Sequence, residues 1–215
     1  NMKGYRLKWI DWVVVVLVMV FYTYGAFGLA REETRELYTS LTPLVLLSSL
    51  FILCIYDRSA KHIKALIYIL SVIVISFCVE LLGVATGVIF GEYGYGTSLG
   101  PKIGGTPLLI GINWIFLVYA TAAIQAPLGR GIITTIVVPT LLMLGYDIIM
   151  EQVAPMMQMW SWQGGSIPLQ NYIVWGALAA LFHAVRYWLR IDFRNRIAPF
   201  IFLIQILFFS IILAL

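Results

Sequence analysis

Long runs of apolar residues follow one another along almost the whole chain, and they constrain its fold more than any other feature. The runs cover residues 10–29, 41–56, 65–89, 108–127, 131–150, 172–189 and 197–215. A helix that crosses a bilayer core needs roughly 17–25 mostly apolar residues. Only 11% of the residues are charged, against roughly 25% in an average soluble domain. The pattern predicts an all-α integral membrane protein, a seven-transmembrane helix bundle that forms one polytopic domain over residues 1–215.

Basic residues are unevenly divided between the two predicted sides of the membrane. Of the 14 lysines and arginines, most lie in the N-terminal tail and in the second, fourth and sixth loops. Those on the opposite side are Arg31, Arg35 and Lys102. The positive-inside rule therefore places the N-terminus in the cytoplasm and the C-terminus outside. We expect a multi-pass protein of the inner (plasma) membrane, whose basic residues contact membrane lipids rather than nucleic acid. Its oligomeric state stays open.

Acidic and amide side chains inside the predicted spans gather at one depth. With that topology, Glu80, Asn113, Asp147 and Asn171 lie in the outer halves of their spans, and Glu92 lies in the outer loop beside them. A charged side chain at the bilayer centre costs about 2.5–3.5 kcal/mol on insertion scales, so such a residue is a functional-site hypothesis by default. The spans carry lysine or arginine only near their ends. We therefore expect these acids to be protonated or hydrogen-bonded.

Two segments on the predicted outer side, 90–107 and 151–170, are too broken by glycine, proline and polar residues to cross the membrane. The first reads FGEYGYGTSLGPKIGGTP, and the second includes MMQMWSWQGGSIPLQN. Both are predicted to be irregular, and the first is expected to fold back over Glu80. Irregular backbone at membrane depth is tolerated where it packs in protein or lines a cavity. Trp160 and Trp162 are therefore either members of an interfacial aromatic belt or part of the wall of a hydrophobic pocket.

Several other chemistries lack the residues they require. The glycine-rich segment has no Walker-type lysine and no strand–helix context, which excludes a nucleotide phosphate site. The chain has 2 histidines, too few for a histidine-box di-iron enzyme. The last span has no lysine for a retinal Schiff base. The acids show no D-x-x-x-D-like pair, so we predict no metal site.

Two blocks of the chain resemble a known family. The first block is ELLGVATGVIFGEYGY at 80–95, followed by LGPK at 99–102, GTPL at 105–108 and Asn113-Trp114. The second comprises Asp147, Trp160, Trp162, Gly164-Gly165, Ile167-Pro168 and Asn171. Over residues 76–176 these blocks resemble the bacterial and archaeal integral-membrane carotenoid biosynthesis family. Its described members are carotenoid 1,2-hydratases that act on γ-carotene, lycopene-like or bisanhydrobacterioruberin end groups. Ile89 and Glu151-Gln152 depart from the family pattern, which leaves the substrate open.

The resemblance implies a cofactor-independent hydro-lyase that hydrates the C1–C2 double bond of an acyclic (ψ) end group. A proton adds to C2, a tertiary cation forms at C1, and water captures it. Depth and chemistry, rather than the resemblance, suggest the roles: Glu80 or Asp147 is the proton donor, and the other orients the acid or the water. Glu92 completes the catalytic candidates. The expected substrate-binding residues are Tyr93, Tyr95, Asn113, Trp114, Trp160, Trp162 and Asn171. The carotenoid is expected to enter laterally from the bilayer.

Three other functions stay open at this point. An acid-initiated end-group cyclase or isomerase shares the protonation step but ends in loss of a proton, so its product has no added water. A non-catalytic carotenoid-binding protein needs an apolar slot but no buried acid. A transporter of small polar solutes needs polar residues along a complete path, and the inner halves of the predicted spans have few.

Overall fold

The computed structural model describes residues 7–59 and 62–215, and helices make up most of them. Within these ranges the α-helices are α1 Trp9–Ala30, α2 Glu32–Ser40, α3 Thr42–Tyr56, α4 Ile63–Thr86, α5 Leu109–Gln125, α6 Val138–Val153, α7 Leu169–Trp188 and α8 Ala198–Ala214. A 3-10 turn, Ala126–Leu128, extends α5, and a π-helical segment, Ile133–Val137, leads into α6. The predicted all-helical fold class is confirmed.

The two loops that were expected to be irregular contain short strands. The strands are β1 Tyr93–Tyr95, β2 Lys102–Ile103, β3 Thr106–Pro107 and β4 Trp160–Trp162. β2 and β3 pair within the first loop. β1 pairs antiparallel with β4 of the second loop, which places Tyr93 opposite Trp162 and Tyr95 opposite Trp160. The β1–β4 pair thus joins the two loops into one layer.

Four helices are long and apolar enough to cross a membrane: α1, α4, α5 with its 3-10 extension, and α6 with its π-helical segment. The α2–α3 pair qualifies only as one span bent by 50°, with Pro43 in the first turn of α3. α8 has 17 residues, and α7, which carries the buried polar residues Asn171, His183 and Arg186, is not among the four. In the described part of the chain the structure therefore supports four or five spans, and the predicted count of seven is not confirmed.

α5 is the central helix of the bundle. It packs against α3, α4, α6, α7 and α8, and most of its side chains are buried. Its sequence has no charged residue, as expected for a helix that is apolar on all sides. Helices around it instead expose large apolar side chains, such as Leu17, Phe51 and Val74. A soluble protein rarely exposes so much contiguous apolar surface, and lipid tails are the natural medium for it.

The basic segments lie together at one end of the bundle. They are joined by the ion pairs Arg196–Asp11 (2.9 Å) and Arg130–Asp192 (2.7 Å) and by the backbone hydrogen bond from Arg58 to Arg194 (2.8 Å). The starts of α1 and α8, the end of α3 and the turn after α5 therefore share this end. Lys3, Arg6 and Lys61, which also count toward the predicted charge asymmetry, lie outside the described residues.

The end of α4 directs the first loop back along the same helix. Gly87 adopts a left-handed conformation with φ of 65°, and its N–H donates to the Gly83 carbonyl oxygen at 2.8 Å. This helix ending favours glycine because other residues are strained there. A Cβ on Gly83 would meet the Phe90 ring and lie 3.2 Å from the Tyr93 hydroxyl oxygen. The space beside Gly83 is therefore filled by the returning loop.

A candidate active site of buried carboxyl groups

The Glu80 carboxyl group is buried in the last turns of α4 and accepts three hydrogen bonds. Its Oε2 atom accepts from the Tyr93 hydroxyl at 2.7 Å and the Tyr95 hydroxyl at 2.8 Å. Its Oε1 atom accepts from Trp114 Nε1 at 3.0 Å. The Trp114 ring is fully buried and stacks on Trp175, with 4.0 Å between the ring centroids. Donors from β1 and α5 therefore hold Glu80 in one orientation.

Tyr93 and Tyr95 act as donors in this arrangement. Burial and the nearby negative charge of Glu80 both raise the pKa of each tyrosine above its ordinary value of 10.0. The phenol hydroxyls therefore keep their protons at neutral pH. Each hydroxyl can therefore donate a hydrogen bond to Glu80, because neither tyrosine loses its proton.

The Glu151 carboxyl group is bound in the same way on the last turn of α6. Its Oε2 atom accepts from Trp160 Nε1 at 3.0 Å and Trp162 Nε1 at 2.6 Å, and its Oε1 atom accepts from Asn171 Nδ2 at 3.0 Å. An indole N–H only donates, so Oε2 serves as a pure acceptor. The expectation that an irregular loop begins at residue 151 is wrong, because α6 continues to Val153.

Asp147 lies one helical turn before Glu151 and is completely buried. Its Oδ2 atom is 3.4 Å from Asn171 Nδ2, the same amide nitrogen that donates to Glu151. The buried Oδ1 atom of Asp147 has no donor among the described side chains. Asp147 is therefore the carboxyl group with the weakest hydrogen bonding at this site.

The β1–β4 pair brings the donors of the two glutamates side by side. Alternate residues of a strand point to the same face, so β1 presents both tyrosines and β4 presents both tryptophans. The ring centroids are 5.0 Å apart for Tyr93–Trp162 and 6.0 Å apart for Tyr95–Trp160. The tyrosines reach Glu80 and the tryptophans reach Glu151, so the loop layer links helices α4 and α6.

Glu80, Asp147 and Glu151 therefore surround one region, and we call them the carboxyl cluster. No salt bridge in the described part of the chain involves any of them. Like charges that lie close together in a buried site repel, which favours a proton on at least one group. Within residues 7–59 and 62–215, no three His, Cys, Asp or Glu side chains stand close enough together to hold a metal ion. The described contacts of the cluster are therefore hydrogen bonds from neutral donors.

Two predicted site residues stand apart from the cluster. Asn113 is buried and lines a cavity of about 10 Å³, together with Trp160 and Met150. That volume is close to the smallest that holds one water molecule. Glu92 is exposed, and only its backbone carbonyl oxygen takes part in the loop layer, by accepting from the Gln163 N–H at 2.9 Å. The structure therefore does not bring the Glu92 side chain to the cluster.

Gly96 allows the two loops to approach closely. Its N–H donates to the Met159 carbonyl oxygen at 2.8 Å, and an added Cβ would overlap the Gln158 carbonyl oxygen. We expect Gly96→Ala to push β1 from β4 and to lower the free energy of unfolding by about 1–3 kcal/mol. The thermal unfolding temperature of the detergent-purified variant measures this. Gly94→Ala, two residues earlier in β1, is the matched control, because its Cβ would meet nothing within 4 Å. Equal stability of the two variants would contradict the prediction.

A family model described as carotenoid biosynthesis protein matches residues 40–215. The chain belongs to this family. No curated protein and no solved structure matches the chain. The carboxyl cluster and all its donors lie inside the family match, whereas α1 and nearly all of α2 precede it. The site therefore lies in the part of this carotenoid biosynthesis protein that defines the family.

Sequence reasoning found most of the residues that this carotenoid biosynthesis protein brings together. The predicted residues at the cluster are Glu80, Asp147, Tyr93, Tyr95, Trp114, Trp160, Trp162 and Asn171. Trp175, which stacks on Trp114, was not predicted. The sequence places Glu151 one turn beyond Asp147 at the outer end of the same run, but Glu151 was not among the predicted site residues, because the second loop was expected to begin there. The resulting site combines buried carboxyl groups with aromatic faces, which stabilise cations.

Proposed function

We propose that this carotenoid biosynthesis protein is a carotenoid hydratase, which adds water across the C1–C2 double bond of an acyclic (ψ) end group. The observation that carries the proposal is the carboxyl cluster, in which Asp147 has an oxygen atom without a donor among the described residues. A buried carboxyl group that holds a proton near an apolar substrate is suited to general acid catalysis, which contributes roughly 10²–10⁴-fold in rate.

The hydrogen-bond donors favour Asp147 as the group that carries the proton. Glu80 and Glu151 each accept three hydrogen bonds, and donors aimed at a carboxylate stabilise its charged form. Asp147 accepts one long hydrogen bond from Asn171. The proton that the three groups share therefore resides on Asp147 in the resting enzyme.

The reaction then proceeds by protonation followed by water capture. The electron pair of the C1–C2 double bond takes the Asp147 proton and forms the new bond at C2, which leaves a tertiary cation at C1. The indole and phenol rings around the cluster stabilise this cation. A water molecule bonds to C1 and gives its extra proton to Glu80, and proton exchange within the cluster restores Asp147. The balance is the addition of one water molecule.

The orientation in the membrane is part of the proposal. The basic segments share one end of the bundle, and such ends face the cytoplasm under the positive-inside rule. We place the carboxyl cluster near the outer face of the plasma membrane, with α7 and α8 also crossing and the C-terminus outside. A C-terminal reporter that is active only in the cytoplasm should stay inactive, and full activity would contradict this topology.

Expression in a bacterial host that accumulates lycopene or γ-carotene tests the function. We expect pigments whose mass is increased by one water per modified end group. A modified pigment of unchanged mass would instead favour the end-group cyclase or isomerase. Unmodified pigment that copurifies with the protein would favour a non-catalytic carotenoid-binding protein. Either result would overturn the hydratase assignment.

A substitution of Glu92 tests whether its side chain belongs to the catalytic site. Because its side chain is exposed and does not reach the carboxyl cluster, we expect Glu92→Gln to change the yield of hydrated carotenoid by less than about 2-fold, as is usual for a surface substitution. The yield per amount of membrane-inserted protein is the measurement. A strong loss of product would place Glu92 in the catalytic machinery and would require the first loop to close further over Glu80.

A further inference from the structure

An apolar groove opens on the side of the bundle. Its walls come from α1, α2, α3 and α8 and from Met157 and Met159 of the second loop. Its volume is about 370 Å³, within the usual range for small-molecule sites. The lining is rich in aliphatic and aromatic side chains, including Phe21, Leu37 and Phe208. A groove of this kind suits a long apolar ligand that is already dissolved in the bilayer.

The groove lies next to the small cavity at the candidate active site. Leu46, Met159 and Phe209 line both spaces. The cavity is bounded on its far side by Trp160, whose indole N–H donates to Glu151. The order of features is therefore groove, cavity, Trp160 and carboxyl cluster.

Two polar side chains that line the groove, Tyr22 and Gln205, already have hydrogen-bond partners. Tyr146 donates to Gln205 Oε1 at 2.8 Å, and Gln205 Nε2 donates to the Tyr22 hydroxyl at 2.8 Å. The chain continues with the Tyr22–Ser49 hydrogen bond of 2.7 Å, and Ser49 donates to the Val45 carbonyl oxygen at 3.0 Å. A ligand in the groove gains no hydrogen bond from these groups unless it breaks one. Thr42 Oγ1 is the exception, because it has no partner among the described residues. Apart from that one hydroxyl, the lining favours a hydrocarbon over a polar solute.

We propose that this groove binds the polyene chain of the carotenoid, with the reacting end group directed toward Trp160. This inference rests on the proposed function and assigns the substrate's path. The Trp160 indole separates the cavity from Glu151, so it has to turn aside for the end group to reach Asp147.

Filling the groove tests the proposal. An added Cβ at Gly25 would lie 3.5 Å from the Phe208 ring, an ordinary contact, so the position accepts a Cβ, and the ring of Gly25→Phe would occupy space in the groove. Leu37→Trp blocks it from the opposite wall in case the first variant folds poorly. Leu17→Phe is the matched control, because Leu17 lies on the same helix about two turns before Gly25, is exposed and does not line the groove.

The measurement is the affinity of purified protein in lipid nanodiscs for lycopene, by quenching of tryptophan fluorescence. We expect affinity at least about 10-fold lower in Gly25→Phe and Leu37→Trp than in the wild type or Leu17→Phe. Wild-type affinity in both folded groove variants would overturn the proposal. So would loss of a copurifying phospholipid from these variants with lycopene binding unchanged, because the groove would then be a lipid site.

The same variants separate this proposal from the proposed function. If the wild type binds lycopene in the groove but forms no hydrated product, the hydratase assignment fails and the groove assignment stands. If the wild type forms hydrated product and both groove variants form it at the same rate, the groove assignment fails and the hydratase assignment stands.

Discussion

Asp147→Asn is expected to lower the rate of carotenoid hydration by roughly 10²–10⁴-fold, the usual contribution of a general acid. Asparagine keeps the size of the side chain and can still accept from Asn171, but it has no acidic proton to give to C2. The initial rate of hydrated product formation by purified protein in liposomes is the measurement. The thermal unfolding temperature, recorded on the same preparation, separates loss of catalysis from loss of folding.

Glu33→Gln is the matched control for Asp147→Asn. It makes the same acid-to-amide change at an exposed position of α2, outside the groove and the cluster. We expect its rate to stay within about 2-fold of the wild type. A folded Asp147→Asn protein with the wild-type rate would contradict the assignment of the proton to Asp147, and the other carboxyl groups would then be the candidates.

Glu80→Gln has the second-largest expected effect, a loss of roughly 10²-fold in hydrated product. The glutamine cannot take the proton that water releases when it bonds to C1. Its amide nitrogen also faces one or more of the three donors that now bind the carboxylate, which costs about 1–3 kcal/mol of stability for a buried unpaired group. Glu80→Asp retains a carboxylate and should recover part of the rate.

The products of the two variants should differ as well as their rates. In deuterated water, Asp147→Asn should incorporate almost no deuterium into the carotenoid, because protonation at C2 is lost. Glu80→Gln should still protonate C2, so the cation reverts or loses a proton and leaves deuterium in unhydrated carotenoid. Equal absence of deuterium in both folded variants would contradict this division of roles.

The helical bundle was predictable because a hydrophobic run of about 20 residues is typical of a membrane-spanning helix. The count of spans was less predictable, for reasons visible in particular helices. α2, with the sequence EETRELYTS, is polar and precedes an apolar run interrupted near its start by Pro43, so the bent α2–α3 unit has no simple hydropathy signal. α7 forms at 169–188, close to the predicted 172–189, but its buried polar residues weaken the signal for a span.

The central acids of the site were predictable because a carboxyl group inside an apolar run is costly to bury, so it indicates a functional site. Glu80 and Asp147 were found in this way. Glu151 was missed because the apolar run ends at Met150 while the helix does not, and helix ends depend on packing as well as composition. Glu92 was included because it lies in the outer loop, in the same layer as the other acids. Since side chains alternate across a strand, the residue before an inward-facing tyrosine points away.

The β1–β4 pair could not be derived from local sequence. Each strand has three residues, too few for an alternating pattern, and the two strands come from loops that are far apart along the chain. The pairing depends on the helices that hold the loops together and on the close approach at Gly96. It nevertheless decides which aromatic residues reach which glutamate, so the hydrogen bonds of the site follow from tertiary structure.

The most direct test of the central claim, that this protein adds water to a carotenoid double bond, is isotope incorporation by the purified wild-type protein. Lycopene or γ-carotene in liposomes is incubated in water carrying both deuterium and a heavy oxygen isotope, and the pigments are weighed by mass spectrometry. We predict one deuterium on carbon and one heavy oxygen for each modified end group. Deuterium without heavy oxygen would contradict water capture and indicate a cyclase or isomerase. Neither label in any pigment would contradict the acid mechanism altogether.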